Sequence, residues 1–193
     1  MKHYSKARAI TFAAMFIALM AIGANMAAIV TIGAVPLTFQ TVVAVLAGLI
    51  LGRKLGTFAI IGYILLGAAG APVFAGFSSG MAALASPTFG FILSFPVIAF
   101  VTGLISDRSA SSTKAVYFTA GLAGLAANYG IGVPYVYLHS TFILGVPDLA
   151  FWAVAAGMIP FFIKDFILVF FTAALAVKLK PHHTSRPALR KAA

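Results

Sequence analysis

Charged side chains make up only 8% of this chain, and they are gathered into short clusters between long apolar runs. Soluble domains carry about 25% charged residues. With 62% hydrophobic residues, the sequence has too little charge for an ordinary water-facing surface and too much apolar side chain to stay disordered. Lipid is the solvent that suits it. At about 20 apolar residues per span, the chain has room for roughly six membrane helices.

The first apolar run, Ile10 to Val30, follows Lys2, Lys6 and Arg8. With Ala24-Asn25-Met26-Ala27 near its end it imitates a secretory signal peptide. The run is longer than a signal's apolar core and more such runs follow, so it reads as an uncleaved first span. Gly33 and Pro36 interrupt the pattern. A second run covers Leu37 to Leu51, and Gly52-Arg53-Lys54-Leu55-Gly56 forms a tight polar turn into a third, Thr57 to Ala69. These two are short for full spans and are expected to pack as a close pair. Residues 70–87 are rich in Gly, Ser and Pro and predict a long loop that can dip into the membrane. The fourth run, Thr88 to Ile105, contains Pro96, which predicts a kink. The fifth is Ala115 to Leu138. His139 to Asp148 reads as loop, Leu149 to Met158 as a short interfacial helix, and Pro160 to Val177 as the sixth span. The expected organisation is an all-α membrane domain over residues 1–180 and a basic, disordered cytoplasmic tail over 181–193.

The charges orient this arrangement. With the N-terminus inside, the inner segments hold Lys2, Lys6, Arg8, Arg53, Lys54, Arg108, Lys114, Lys178, Lys180, Arg186, Arg190 and Lys191, all but one of the 13 basic residues. The exception, Lys164, lies in the sixth span. Cationic loops stay on the cytoplasmic side, which places both termini in the cytoplasm. It also explains the net charge of +10 by attraction to anionic membrane lipid rather than to nucleic acid. Cysteine is absent, His residues show no ligand spacing, and no phosphate-binding loop occurs. No metal, no cofactor and no ATPase activity of its own are expected.

Three acids remain: Asp107, Asp148 and Asp165. Asp107 reads as a solvated loop charge beside Arg108, and Asp148 as a helix N-cap. Asp165 lies inside the sixth span, where a carboxylate is costly without a partner or polar ligand. It is either an ion pair with Lys164 or a ligand contact in a cavity. Adjacent helix residues diverge by about 100°, which points Lys164 towards a cavity rim or the outer interface. Gln40, Thr88, Asn128 and Tyr129 fall at a similar depth, with Phe74, Tyr129 and Tyr135 as candidate aromatic walls. Each of the polar ones is also a candidate helix–helix hydrogen bond. In the first span, Ala14 and Ala18 form a small-xxx-small stripe suited to close helix approach, within the chain or to a partner. Gly76-Phe77-Ser78-Ser79-Gly80 matches a nucleophile elbow, but that motif needs a strand–turn–helix setting, and strands are not expected.

Several stretches resemble one family when taken in order: Val35-Pro36-Leu37-Thr38-Phe39-Gln40-Thr41, Leu51-Gly52-Arg53-Lys54-Leu55-Gly56, Leu66 to Gly76, Ser86-Pro87-Thr88-Phe89-Gly90-Phe91 and Tyr129-Gly130-Ile131-Gly132-Val133-Pro134-Tyr135. The chain resembles the biotin-specific, BioY-type substrate-binding component (S component) of energy-coupling factor (ECF) transporters. The resemblance implies a six-helix S-component bundle in the bacterial inner membrane, with biotin held in an outward-facing cavity. It implies partners too: a transmembrane coupling subunit, contacted by the Ala14/Ala18 stripe, and two ATPases. The family's sixth helix carries an Asp followed three residues later by Lys. Asp165 matches, but Leu168 stands where the Lys is expected and Lys164 precedes the Asp instead. Biotin's ureido ring offers two N–H donors and a carbonyl. Asp165 suits the donors, Asn128, Gln40 or Thr88 the carbonyl, and Lys164 or a backbone nest in the Gly76–Gly80 loop the carboxylate. The alternatives are the same fold binding another vitamin-like ligand and an intramembrane serine hydrolase.

Overall fold

A backbone in hydrocarbon has no water to bond, so it closes its hydrogen bonds within helices, and the apolar runs do so here. A computed structural model describes residues 5–28, 30–32 and 35–179. Its main elements are α1 (Lys6–Asn25), β1 (Thr31–Ile32), β2 (Val35–Pro36), α2 (Gln40–Leu51), α3 (Arg53–Ala68), α4 (Gly80–Leu84), α5 (Phe89–Arg108), α6 (Lys114–Phe142), α7 (Phe151–Gly157) and α8 (Ile159–Leu179). A single 3₁₀ turn covers Ala75–Phe77. Helices α1, α5, α6 and α8 are each long and apolar enough to cross a membrane. The 12 residues of α2 reach only about 18 Å, so this helix depends on its neighbours. The tail at 181–193 lies outside the described residues.

Helix α5 sits between α2, α3 and α6; α8 closes the bundle against α2 and α6, and α1 packs on α2 and α3. The interior holds small and medium apolar side chains such as Met20, Ala44, Ala47, Ile60, Ile98, Ala99, Ala120 and Val169. It also holds the polar ones: Gln40, Thr41, Ser94, Thr102, Asn128 and Asp165 are buried. Large apolar residues such as Phe58, Leu65, Phe166, Phe170 and Phe171 face outward. Polar groups inside and apolar groups outside is the arrangement that lipid selects.

Several expectations are corrected. The polar turn is shorter than expected: Gly52 alone, at φ 83°, joins α2 to α3, and Arg53 already starts α3. The third span therefore begins at Arg53 rather than Thr57. Strands do occur: Thr31 pairs with Pro36 and Ile32 with Val35 in a small antiparallel ladder, favoured by β-branched residues. The 70–87 loop contains a 3₁₀ turn and α4. His139 is not in a loop but buried within α6, with Nε2 2.9 Å from the Ala85 carbonyl. Asp148 does not cap α7, whose N-cap is Ala150; it instead adopts φ 51°.

Asp107 is also more than a loop charge. It lies in the last turn of α5, and its Oδ2 accepts the Arg53 N–H at 3.0 Å. This gives the uncapped start of α3 an acceptor. Replacing Asp107 with Ala is expected to cost about 1 kcal/mol, read as a lowered melting temperature in detergent with ligand binding unchanged.

Candidate ligand-binding site

The starts of α2, α5 and α8 meet at one end of the bundle, opposite the end that holds Arg53, Arg108 and Lys114. A cavity opens between them and α6. Its apolar walls include Val35, Phe91, Phe95, Met158 and Phe161, and its polar lining includes Gln40, Thr41, Thr88, Asn128, Tyr129, Lys164 and Asp165.

Asp165 is the centre of the polar part. It is 3% exposed, and three elements address it. Tyr129 of α6 donates its hydroxyl to Oδ2 at 2.9 Å. Thr41 of α2 donates to the same oxygen at 3.2 Å. The Lys164 ammonium lies 2.9 Å from Oδ1 and also donates to the Thr38 carbonyl. Lys164 thus lines the cavity and also turns back beside Asp165, because its four-carbon stem spans the angle between adjacent helix positions. Among the described residues, Oδ1 accepts no hydrogen bond of good geometry. The ion pair leaves this buried oxygen, on a residue that lines the cavity, with unused acceptor capacity.

Behind this centre the network continues. Asn128 donates to Thr41 Oγ1 at 3.5 Å, and Ser94 of α5 donates to Asn128 Oδ1 at 2.6 Å. Gln40 donates to the Tyr63 hydroxyl at 2.8 Å, which donates in turn to the Val73 carbonyl at 2.9 Å. Buried networks of this kind hold their members in fixed orientations when each partner is satisfied.

Six of the residues singled out from sequence therefore come together: Gln40, Thr88, Asn128, Tyr129, Lys164 and Asp165 all line the cavity. Phe74 and Tyr135 do not. Phe74 is buried against Tyr63, with ring centroids 5.4 Å apart, and lies where a side chain on Gly67 would be. Tyr135 packs in the same way over Gly90 and stacks on His139. Both rings pin neighbouring segments instead of touching the cavity. Thr41, beside Gln40 at the start of the second run, lines the cavity too, whereas Ser94, Tyr63 and the aromatic wall of Phe91, Phe95 and Phe161 were missed. Ser94 and Tyr63 carried one legible signal, as polar atoms inside apolar spans. Ala14 and Ala18 lie exposed, one turn apart, on the outer face of α1. The groups of a serine triad are engaged elsewhere: the Ser78 hydroxyl donates to the Ala75 carbonyl, His139 meets Ala85, and Asp148 is exposed.

Fold and site together define a helical-bundle membrane protein with a small-molecule cavity sunk into one end. The family model described as BioY matches residues 1–185, and the chain belongs to the BioY family. It is 38% identical to the probable biotin transporter BioY of Pyrococcus horikoshii, over 91% of this chain and 98% of that one. It is 37% identical to the biotin transporter BioY of Thermotoga maritima, over 90% and 96%. The fold matches the crystal structure of the S-component for biotin from an ECF-type ABC transporter, with a TM-score of 0.70 at 21% identity, over 93% of this chain and 94% of that one.

Proposed function

We propose that this chain binds biotin from outside the cell, as the S component of an ATP-driven ECF importer, in a bacterial inner membrane with both termini cytoplasmic. A transmembrane coupling subunit docks on the Ala14/Ala18 face of α1, and two ATPases supply the energy. The chain itself does no covalent chemistry. The observation that carries the ligand is the Lys164–Asp165 pair. It presents a cationic donor and a carboxylate oxygen with unused acceptor capacity 2.9 Å apart. Biotin's ureido group presents the complement, a carbonyl flanked by N–H groups. Charge-assisted hydrogen bonds of this kind are strong away from water. The fused ring then fills the Phe91/Phe95/Phe161 wall, and the valeryl carboxylate points to the mouth.

The test is equilibrium binding of labelled biotin to detergent-purified protein. Saturable binding at one site per chain is expected. Biotin methyl ester competes within about tenfold, whereas N-alkylation of the ureido ring weakens competition at least about a hundredfold, because it removes a donor and leaves a buried carboxylate oxygen unmatched. No saturable binding to well-folded protein overturns the biotin reading. Equal loss from both analogues moves the ligand carboxylate to Lys164.

A further inference from the structure

The segment 69–88 crosses from α3 to α5 and contributes Ala75 and Thr88 to the lining of the cavity. It is attached to the bundle at several points. The Phe77 N–H donates to Asn25 Oδ1 of α1 at 2.8 Å, and His139 of α6 meets the Ala85 carbonyl. The attachment through Tyr63 differs from these, because it leads back into the cavity. Tyr63 is 0% exposed and does not line the cavity, yet its hydroxyl links a residue that does, Gln40, to a backbone carbonyl of the crossing segment, Val73. Val73 lies two residues before the cavity-lining Ala75.

We infer that Tyr63 is a positioning residue that couples occupancy of the cavity to closure of segment 69–88 over it. The hydroxyl accepts from Gln40 and donates to Val73, and such in-line bonds polarise and strengthen one another. A ligand that accepts or donates at the Gln40 amide fixes that side chain. This fixes the direction of the Tyr63 O–H, and so the hold on Val73. The Phe74 ring, packed edge-on against Tyr63, keeps the carbonyl in reach. In the open direction the same chain breaks at Val73 and frees Tyr63, so Gln40 loses its oriented acceptor and the ligand loses a fixed contact. The inference rests on the cavity being the ligand site, and on biotin only as the ligand used to probe it.

Tyr63→Phe removes one oxygen and leaves the ring on Phe74, so it isolates the link. Biotin dissociation is expected to accelerate by on the order of thirtyfold with the association rate changed less than about threefold, as two hydrogen bonds are lost from the closed state. Amide hydrogen exchange supplies a readout that a merely structural role would not move. In wild-type protein biotin slows exchange across 71–85. In Tyr63→Phe at saturating biotin that slowing is lost, while α6 and α8 around the cavity remain protected. Ligand-dependent slowing across 71–85 that persists unchanged in Tyr63→Phe overturns the inference. If Tyr63→Phe does not fold, Gln40→Met breaks the link from the other end. At saturating biotin it is expected to leave exchange in 71–85 independent of ligand, and retained dependence overturns the inference equally. If wild-type protein binds no biotin, the biotin reading fails separately. The link then stands or falls on whether ligand-free Tyr63→Phe exchanges faster than wild type across 71–85.

Discussion

Asp165→Ala is expected to remove saturable biotin binding from a protein that still assembles its helices, with affinity lowered by at least about a hundredfold. The size of the effect follows from what the carboxylate holds. It is the acceptor for Tyr129 and Thr41 and the counter-charge of Lys164. Truncating it strands two hydroxyl donors and a partly buried cation, 19% exposed, in one step. Breaking a buried pair from one side costs about 3–5 kcal/mol, enough to lower stability as well as binding. The two effects separate in the double variant Lys164→Met, Asp165→Leu. Replacing both charges by apolar groups of similar volume is often neutral or stabilising. The double variant removes the stranded cation but still leaves the Tyr129 and Thr41 hydroxyls without this acceptor, so it is expected to melt above Asp165→Ala, at or below wild type, and still not bind. Calorimetry or scintillation proximity binding reads the affinity, and thermal aggregation in detergent reads the stability. Biotin binding retained in Asp165→Ala would move the polar contacts of the ligand away from α8. Stability recovered without binding would assign the pair to the ligand and not to the fold.

The sequence makes the polar centre legible for the same reason that the pair matters. A charge within a hydrocarbon span has few reasons to be there, so Asp165 and Lys164 stand out against their apolar neighbours. Asn128, Gln40 and Thr88 follow by depth, since polar residues at one level of several spans can meet. What depth cannot give is direction around the helix axis. Helix geometry alone points Lys164 about 100° away from Asp165, but a long stem reaches across that angle and makes the ion pair that was one of the two readings. Phe74 and Tyr135 were at the right level, but each faces a glycine on a neighbouring segment. The cavity wall is built from Phe91, Phe95 and Phe161, which look like ordinary lipid-facing side chains in an apolar run. The expected loop at His139 failed for another reason. A histidine at a helix end reads as polar, but here it turns inward to a carbonyl on a segment more than fifty residues away in sequence. The strand pair at Val35 and Pro36 lay hidden behind a Gly/Pro break that predicts only irregular chain. The class of fold follows from composition and run length. The register between helices depends on which residues are small enough to let backbones meet.

That dependence gives the second large effect: Gly48→Val is expected to yield little monodisperse protein, and what remains should not bind biotin. A side chain at Gly48 of α2 would begin 2.0 Å from Thr102 Oγ1, 2.4 Å from the Ala99 carbonyl oxygen and 2.9 Å from the Gly103 nitrogen. Two of these are backbone atoms of α5 and cannot swing aside. The same contact continues around the bundle. A Cβ on Gly103 would meet Arg53 N at 2.4 Å, and one on Gly56 the Ala47 carbonyl oxygen at 2.6 Å. One glycine on each of α2, α3 and α5 thus lets three backbones touch. In lipid no hydrophobic force draws helices together, so this close packing supplies much of their association. Helix α2 has the most to lose. It is too short to span alone, and it carries Gln40 and Thr41 at its start, so pushing it off α5 dismantles the site along with the core. Gly48→Ala, with a single added methyl, is expected to cost about 3 kcal/mol, at the upper end of ordinary overpacking. Gly130→Ala is the control. It is exposed on α6 with nothing within 4 Å of the added carbon, and alanine favours helix over glycine by about 1 kcal/mol, so the control should melt at or above wild type. Size-exclusion profile and melting temperature across the three variants decide the matter. A Gly48→Val protein that elutes, melts and binds as wild type would mean that α2 does not seat on α5 as described, and that Gln40 and Thr41 reach the cavity from some other packing.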